Sequence, residues 1–278
     1  MSLPVSSTKI KRISLSSQGE RDDLLVVEEP LELRLYFGPE ESRDKQSLTV
    51  TMRTPGHDFE LAIGFLQTEG IIRHPRDVQQ IRYCTEPISQ EEAENIILIH
   101  LDPALPVPDL SLQRNFMSTA ACGLCGKASL ETLQNAGCQR LESSVRIRQQ
   151  VILNLSATAT KEQVLFKHTG GIHAAALFDD KGKLLLLRED IGRHNAVDKV
   201  IGAAAQANLP LEDSILFVSG RAGFELVQKA LMAKIPVMAA VGAPSALSVQ
   251  IAEAYGMTLI GFLKTDRFNL YSHPGRIL

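Results

Sequence analysis

The feature that most restricts the fold of this chain lies in its second half. There, short and almost wholly apolar runs alternate with helical patterns. The runs are Ile-Leu-Phe-Val at 215–218, Val-Met-Ala-Ala-Val at 237–241 and Thr-Leu-Ile-Gly-Phe-Leu at 258–263. Helical segments at 195–207, 223–233 and 246–255 precede them in turn. A strand that is apolar on both faces must be covered on both, as parallel strands flanked by helices are. Ahead of this series, 172–178 and 183–187 read as strands joined by the hairpin signal Asp179-Asp180-Lys181-Gly182. The second half is therefore expected to be an α/β layered domain.

The first half has a different pattern. Residues 26–37 and 48–52 read as strands, and 57–69 as a helix with Leu61, Ala62, Phe65 and Leu66 on one face, ended by Gly70. Two more strands are expected at 81–84 and 96–101. The order ββαββ suits a compact, roll-like α+β unit. Pro103, Pro106 and Pro108 mark 102–109 as an extended connector. The expected division is a small domain over 1–110 and a larger one over 111–278. With 278 residues, 44% of them hydrophobic, the chain has material for both cores.

Several function classes are disfavoured by composition. The formal net charge is −3, Trp is absent and aromatics make up 5%, so neither a basic footprint nor stacking platforms for nucleic acid are expected. No apolar run is long enough to span a bilayer, and the first residues carry no signal-peptide pattern, so a cytoplasmic protein without membrane contact is expected. Four cysteines are too few for a disulfide scaffold.

Two of those cysteines stand in Ala121-Cys122-Gly123-Leu124-Cys125-Gly126. The glycines remove bulk around both sulfurs. A helix is expected over 127–136, with Leu130 and Leu133 at helical spacing and Gly137 as the stop. Cys125 would then stand at a helix N-terminus beside Lys127, where partial and full positive charges favour the thiolate. The spacing alone also fits half of a zinc site, or an incidental pair. A thioredoxin-like pair follows an early strand rather than a proline-rich connector. A structural zinc site needs two more ligands, and no second C-x-x-C is present. A zinc deaminase needs His-x-Glu upstream and a proline before the first cysteine, and this chain has neither. A nucleophilic, sulfur-carrying cysteine remains as the leading option. Cys84 and Cys138 stand alone and read as small packing residues or tolerated surface thiols.

A second signal is a set of loops where strands pass into helices: Glu189-Asp190-Ile191-Gly192-Arg193-His194-Asn195, Ser219-Gly220-Arg221-Ala222-Gly223 and Gly242-Ala243-Pro244-Ser245. Each is expected at the carboxyl edge of the sheet, where open α/β folds bind ligands. Helix starts rich in glycine and arginine suit phosphates. Lys264 and Arg267, after the last of the apolar runs, add cations, so a large anionic ligand is expected. Thr169-Gly170-Gly171-Ile172-His173 is the third signal. His173 and His194 are candidate acid–base groups near neutral pH, set against the commoner role of a hydrogen-bonded structural histidine. Asp190 and Asp198 read as capping or solvated residues. Glu225 and Lys229, four apart, read as a surface ion pair.

In this order the motifs resemble the formate dehydrogenase accessory sulfurtransferase family, FdhD/NarQ, from about Asp23 onward. The resemblance rests on Ala62-Ile63-Gly64-Phe65-Leu66, Glu69-Gly70-Ile71-Ile72, Cys122-Gly123-Leu124-Cys125-Gly126 and Thr169-Gly170-Gly171-Ile172-His173-Ala174-Ala175. It continues through Glu189-Asp190-Ile191-Gly192-Arg193-His194-Asn195-Ala196-Val197-Asp198-Lys199, Ser219-Gly220-Arg221 and Gly261-Phe262-Leu263-Lys264. It implies a cytidine-deaminase-like second domain, a homodimer, and a persulfide relay from a cysteine desulfurase to the molybdenum cofactor, Mo-bis(molybdopterin guanine dinucleotide), destined for apo-formate dehydrogenase. By position, Cys122 matches the persulfide cysteine and Cys125 its companion. Phe262, Leu263, Lys264, Thr265, Asp266 and Arg267 match the cofactor-binding segment, although some members carry Pro-Gly where this chain has Thr265-Asp266. His173, His194, Ser219 and Arg221 complete the expected cofactor site, and no protein-bound metal is expected.

Overall fold

The computed structural model describes residues 3–85, 94–105, 133–134 and 136–278. Among them the chain is a mixed α/β protein with three sheets. The strands of the second half are β7 (His173–Phe178), β8 (Leu184–Asp190), β9 (Ile215–Val218), β10 (Val237–Ala240), β11 (Thr258–Gly261) and β12 (Asn269–Ser272). They form one six-stranded sheet in the order β12-β11-β10-β9-β7-β8. The three apolar runs, β9, β10 and β11, pair in parallel at its centre, and the antiparallel β12 and the β7–β8 hairpin flank them.

Helices cover both faces of this sheet. Three of them are α4 (Arg193–Gln206), α5 (Phe224–Met232) and α6 (Ala246–Tyr255). On their side Ala175, Leu177, Leu216, Val218, Met238, Ala240 and Leu259 pack against Val197, Ile201, Leu226, Ala230 and Ile251. The opposite face presents Ala176, Phe178, Phe217, Val237, Ala239 and Ile260 to Ile152, Leu155 and Ala159 of α2 (Gln149–Glu162). Successive strand residues thus feed two different cores, which is why the runs carry no polar alternation.

The first half builds a four-stranded sheet, β4-β3-β6-β5, from β3 (Glu29–Phe37), β4 (Asp44–Arg53), β5 (Val78–Tyr83) and β6 (Ile96–Leu101). The helix α1 (Asp58–Thr68) covers one face, where Leu31, Leu33, Leu35, Ile97 and Ile99 meet Leu61, Ala62 and Leu66. The ββαββ order matches the sequence expectation, with β3 and β6 parallel at the centre.

Other features were not anticipated. A hairpin, β1 (Val5–Ile13) with β2 (Gln18–Val26), forms a separate two-stranded sheet whose residues are mostly exposed. The helices α2 and α3 (Val164–Thr169) and the strand β12 are likewise additions to the sequence reading. Of the helix expected over 127–136, only Leu133, Gln134 and Ala136 lie among the described residues, and the first two are helical.

The two halves meet where α1 crosses α4. A Cβ on Gly64 would stand 1.9 Å from the Asp198 carbonyl oxygen, and one on Gly202 would stand 1.9 Å from that of Glu60. The helices therefore touch backbone to backbone, a contact that glycine alone permits.

Candidate functional site

The carboxyl ends of β9, β10 and β11 lie side by side, and their loops are joined by hydrogen bonds that continue past the strands. The Ser219 N–H donates to the Ala174 carbonyl at 2.9 Å, Gly242 to Gly220 at 2.9 Å, and Phe262 to Gly242 at 3.1 Å. Because β7 runs antiparallel to β9, the start of β7 falls at the same edge, and His173 is registered opposite Asp190 of β8. The Ser219 hydroxyl accepts from the Ala174 N–H at 2.9 Å, fixing the β7–β9 junction. Ser248 ties the next loop in by donating to the Ala222 carbonyl at 2.9 Å.

This arrangement gathers four of the sequence-predicted residues. A Cβ on Gly220 would lie 3.5 Å from the His173 ring and 3.9 Å from the Arg193 stem. The absence of a side chain there leaves His173 and Arg193 open to each other. Arg221 is exposed next in the chain, with its backbone packed against Gly242. His194, the second residue of α4, forms an ion pair from Nε2 to Oε2 of Glu225 on α5 at 2.6 Å, with side chains 30% and 35% exposed. Burial pushes the His173 imidazole below its ordinary value. The Arg193 cation and His194 add to that, and Asp190 opposes them. A neutral His173 thus stands beside arginine side chains at a glycine-lined edge, a setting suited to anions.

The start of α4, which carries Arg193 and His194, is held from the first half of the chain. The Asp190 carboxylate is fully buried; it pairs with Lys199 Nζ at 2.7 Å and accepts from the N–H groups of Gly192 at 2.8 Å and Thr54 at 3.2 Å. Asn195 donates to Asp190 at 3.1 Å and to the Met52 carbonyl at 2.8 Å, and accepts from the Thr51 hydroxyl at 3.1 Å. Lys199 reaches the Thr54 carbonyl at 2.9 Å. Asp190 is therefore neither solvated nor a simple cap; it is the hub that joins β4 to the start of α4.

A second buried cluster lies one helical turn along. Lys229 of α5 contacts Asp198 of α4 at 2.9 Å, the Thr68 hydroxyl at 3.0 Å and Glu69 at 3.2 Å. The expected surface pair Glu225–Lys229 is thus corrected: Lys229 turns inward to Asp198, while Glu225 reaches sideways to His194. Asp198 is likewise buried rather than solvated. Spacing along one helix does not register a partner on the neighbouring helix, and that is the reason for both errors.

The segment after β11 divides. Phe262 adopts a left-handed conformation (φ 50°) and is 45% exposed beside Gly242. Leu263 is buried in the core facing α2 and donates its N–H to the Ala240 carbonyl. Lys264 and Thr265 are exposed in a turn closed by the Lys264 N–H to the Arg267 carbonyl at 2.8 Å. Asp266 and Arg267 pair at 3.2 Å and line a groove of about 430 Å³ with Gln149, Leu153, Ile277 and Leu278. The six residues therefore do not share one surface. Phe262 stands with the edge loops, and Asp266 and Arg267 line the groove next to α2.

Cys122 and Cys125 lie outside the described residues. Cys84 is buried and Cys138 is half-buried, with burial pushing its thiol up to about 11. A thiol so raised is a poor nucleophile at neutral pH. Sequence reasoning missed Glu225, Asn195 and Lys199 as parts of this edge; all three are helix residues whose partners come from other elements.

Comparisons with known proteins agree along nearly the whole chain. A family model described as the FdhD/NarQ family matches residues 26–278. A sulfur carrier protein FdhD from Streptomyces coelicolor is 45% identical over 273 residues, covering 97% of this chain and 94% of the relative. One from Mycobacterium bovis is 43% identical with full coverage of both, and one from Thermoplasma volcanium is 40% identical over 98% of this chain and 96% of the relative. A crystal structure described as a formate dehydrogenase accessory protein from Desulfotalea psychrophila shares the fold, with a TM-score of 0.74, 23% identity and 99% of each chain covered.

Proposed function

The chain belongs to the FdhD/NarQ family, and from that membership we propose that it is a sulfur carrier that serves formate dehydrogenase. Cys122 takes sulfur from the persulfide of a cysteine desulfurase. Its thiolate attacks the outer sulfur, the desulfurase thiolate leaves, and Cys122 carries the new S–SH group. The sulfur then passes to Mo-bis(molybdopterin guanine dinucleotide), the cargo, before that cofactor enters apo-formate dehydrogenase. Cys125 is the companion thiol. The carrier works as a cytoplasmic homodimer without a resident metal, and its second domain, from about residue 111, is of cytidine-deaminase-like kind.

The observation that carries this reading is the full-length similarity to proteins named sulfur carriers, in a chain that holds Cys122-Gly123-Leu124-Cys125-Gly126. The glycine-lined edge supports the cargo assignment. Arg193, Arg221 and the neutral His173 suit pyrophosphate groups, and the exposed ring of Phe262 suits a flat heterocycle. Lys264 and Thr265 extend from the same strand end, whereas Asp266 and Arg267 reach the cargo from the side of the groove. Ser219 and His194 fix the loops that face it.

The test is intact-protein and peptide mass spectrometry after incubation with a cysteine desulfurase and cysteine. Gain of one sulfur on the peptide holding Cys122 and Cys125, removed by reductant and lost in Cys122→Ala, is the expected result. Full activation of formate dehydrogenase by Cys122→Ala sinks the assignment. A second reading, a cofactor-binding chaperone that carries no sulfur, is favoured by the same edge; it predicts cofactor binding with no added sulfur mass.

A further inference from the structure

The face of the four-stranded sheet that turns away from α1 differs from a solvated sheet face. A sheet packed on one side ordinarily offers polar residues to water on the other. Leu33, Leu35, Ile97 and Ile99 go to the α1 side, so the residues between them belong to the outer face. There Val50 and Met52 of β4 stand 49% and 47% exposed, opposite Glu32 and the exposed Pro30 of β3. Next to them Cys84, Ile96 and Leu98 form a small buried apolar cluster with Tyr36 against it. One end of the face is therefore apolar, part of it in water.

The other end is aromatic and cationic. Lys45, Tyr36 and His100 form one row across β4, β3 and β6. The Tyr36 and His100 rings stack at 4.4 Å and 7°, and Lys45 Nζ lies 5.6 Å from the Tyr36 ring centre. The next row places Arg34 and Arg82 on either side of Leu98. The carboxylate of this face, Glu32, is already held by Arg34 at 2.7 Å. Glu40 and Glu41 lie in the turn beyond the last row. Burial, with Arg82 and Arg43, keeps the His100 imidazole below its ordinary pKa. Its Nε2 is buried and, among the described residues, has no hydrogen-bond partner. A buried polar atom of this kind requires a partner, and the surrounding cations favour one that carries negative charge.

We propose that this face is a docking surface for an amphipathic, acidic helix of a partner protein. The backbone groups of β3 and β6 are engaged on both sides by neighbouring strands, so side chains alone can cover the face, as α1 covers the opposite one. The apolar stripe of the helix lies over Val50, Met52 and Ile96 and removes their exposed surface from water. Val50 and Lys45 are about 15 Å apart along β4, or about ten residues of helix. Carboxylates that far along the helix meet Lys45 and Arg82, and one of them accepts from the open Nε2 of His100. Because the cations stand at one end only, they set the direction in which the helix lies. The proposal is independent of the sulfur-carrier reading.

The probe is a fluorescent helical peptide with leucines at i, i+3, i+4 and i+7, glutamates about ten residues further on, and a photo-crosslinker at its apolar end. A second peptide carries lysines in place of the glutamates. Anisotropy measures binding to the full-length wild type, Val50→Glu and Lys45→Glu; both positions are exposed, and equal thermal unfolding confirms that the variants are folded. Expected are binding of the acidic peptide to wild type, crosslinks to β4 or β6, and weakening by added salt. Val50→Glu should lose affinity roughly tenfold or more, and Lys45→Glu should lose affinity together with part of the salt dependence. No binding, or binding unchanged in both variants, overturns the proposal, as does equal binding of the lysine peptide. Preferential binding of a single-stranded oligonucleotide to the same face overturns it in favour of nucleic acid. A solution mass that falls to the monomer in Val50→Glu overturns it in favour of a second copy of this chain.

Discussion

Lys229 illustrates how far a single residue can depart from its sequence context. Four residues after Glu225 on an amphipathic helix, it reads as half of an exposed pair. Instead its ammonium is buried, and although burial opposes the charge, Asp198 and Glu69 together hold the pKa above the ordinary lysine value. Removing one partner from such a pair strands the other in the interior, which costs about 3–5 kcal/mol. Lys229→Met should lower the urea midpoint by that measure, and Lys229→Met combined with Asp198→Leu should recover much of it; additive losses in the double variant would contradict the account. His173 offers a spectroscopic check. Burial and the Arg193 cation depress its pKa, so its titration by NMR should fall below 6.5, and Arg193→Gln should move it upward. An unmoved midpoint would show that Arg193 is not felt at the ring.

At the scale of elements, the crossing of α1 and α4 is set by two glycines rather than by ridges of side chains. Gly64→Ala forces a methyl against the Asp198 carbonyl, and Gly202→Ala does the same against Glu60. Each should cost about 1–3 kcal/mol or more through overpacking, read as a lowered Tm; an alanine tolerated without loss would mean that the helices separate freely. The central elements were legible because each carries its own signal: three apolar runs for β9, β10 and β11, and Leu61, Ala62 and Leu66 on one face of α1. The β1–β2 hairpin was not, because pairs such as Lys9–Asp22 and Lys11–Glu20 are charged and exposed, and an isolated two-stranded sheet has no apolar face to announce it. In α2 the buried positions Ile152, Leu155 and Ala159 have helical spacing, but Thr158, Thr160 and Asn154 dilute the pattern. At the candidate site the loops and both histidines were visible as glycine-rich strand-to-helix passages. Glu225, Asn195 and Lys199 were not, since their roles arise from elements far apart in the chain.

For the molecule as a whole, the two halves are joined by charge as well as by packing. Glu60 of α1 and Arg188 of β8 make two contacts, at 2.5 and 2.8 Å. Burial alone would raise the Glu60 pKa, but hydrogen bonds from Arg188 and His57 prevail and hold it at about 2, against 4.5 for the free group. A depressed carboxylate stabilises the fold above its unfolded value and ceases to do so as pH falls through the folded one. Arg188→Gln should therefore be less stable than wild type at neutral pH, with the gap closing between about 4.5 and 2; denaturation measured across that range decides it, and a gap independent of pH would assign the loss to packing. The contact at Gly64 and Gly202 also bears on ancestry. Where helices touch with no side chain between them, neither half can be recombined with a foreign counterpart unless that counterpart also carries a bare backbone at the same point. The small sheet and the large one are therefore expected to be inherited as a pair, and a chimera made by exchanging one half between distant relatives should fold only when both glycines face each other.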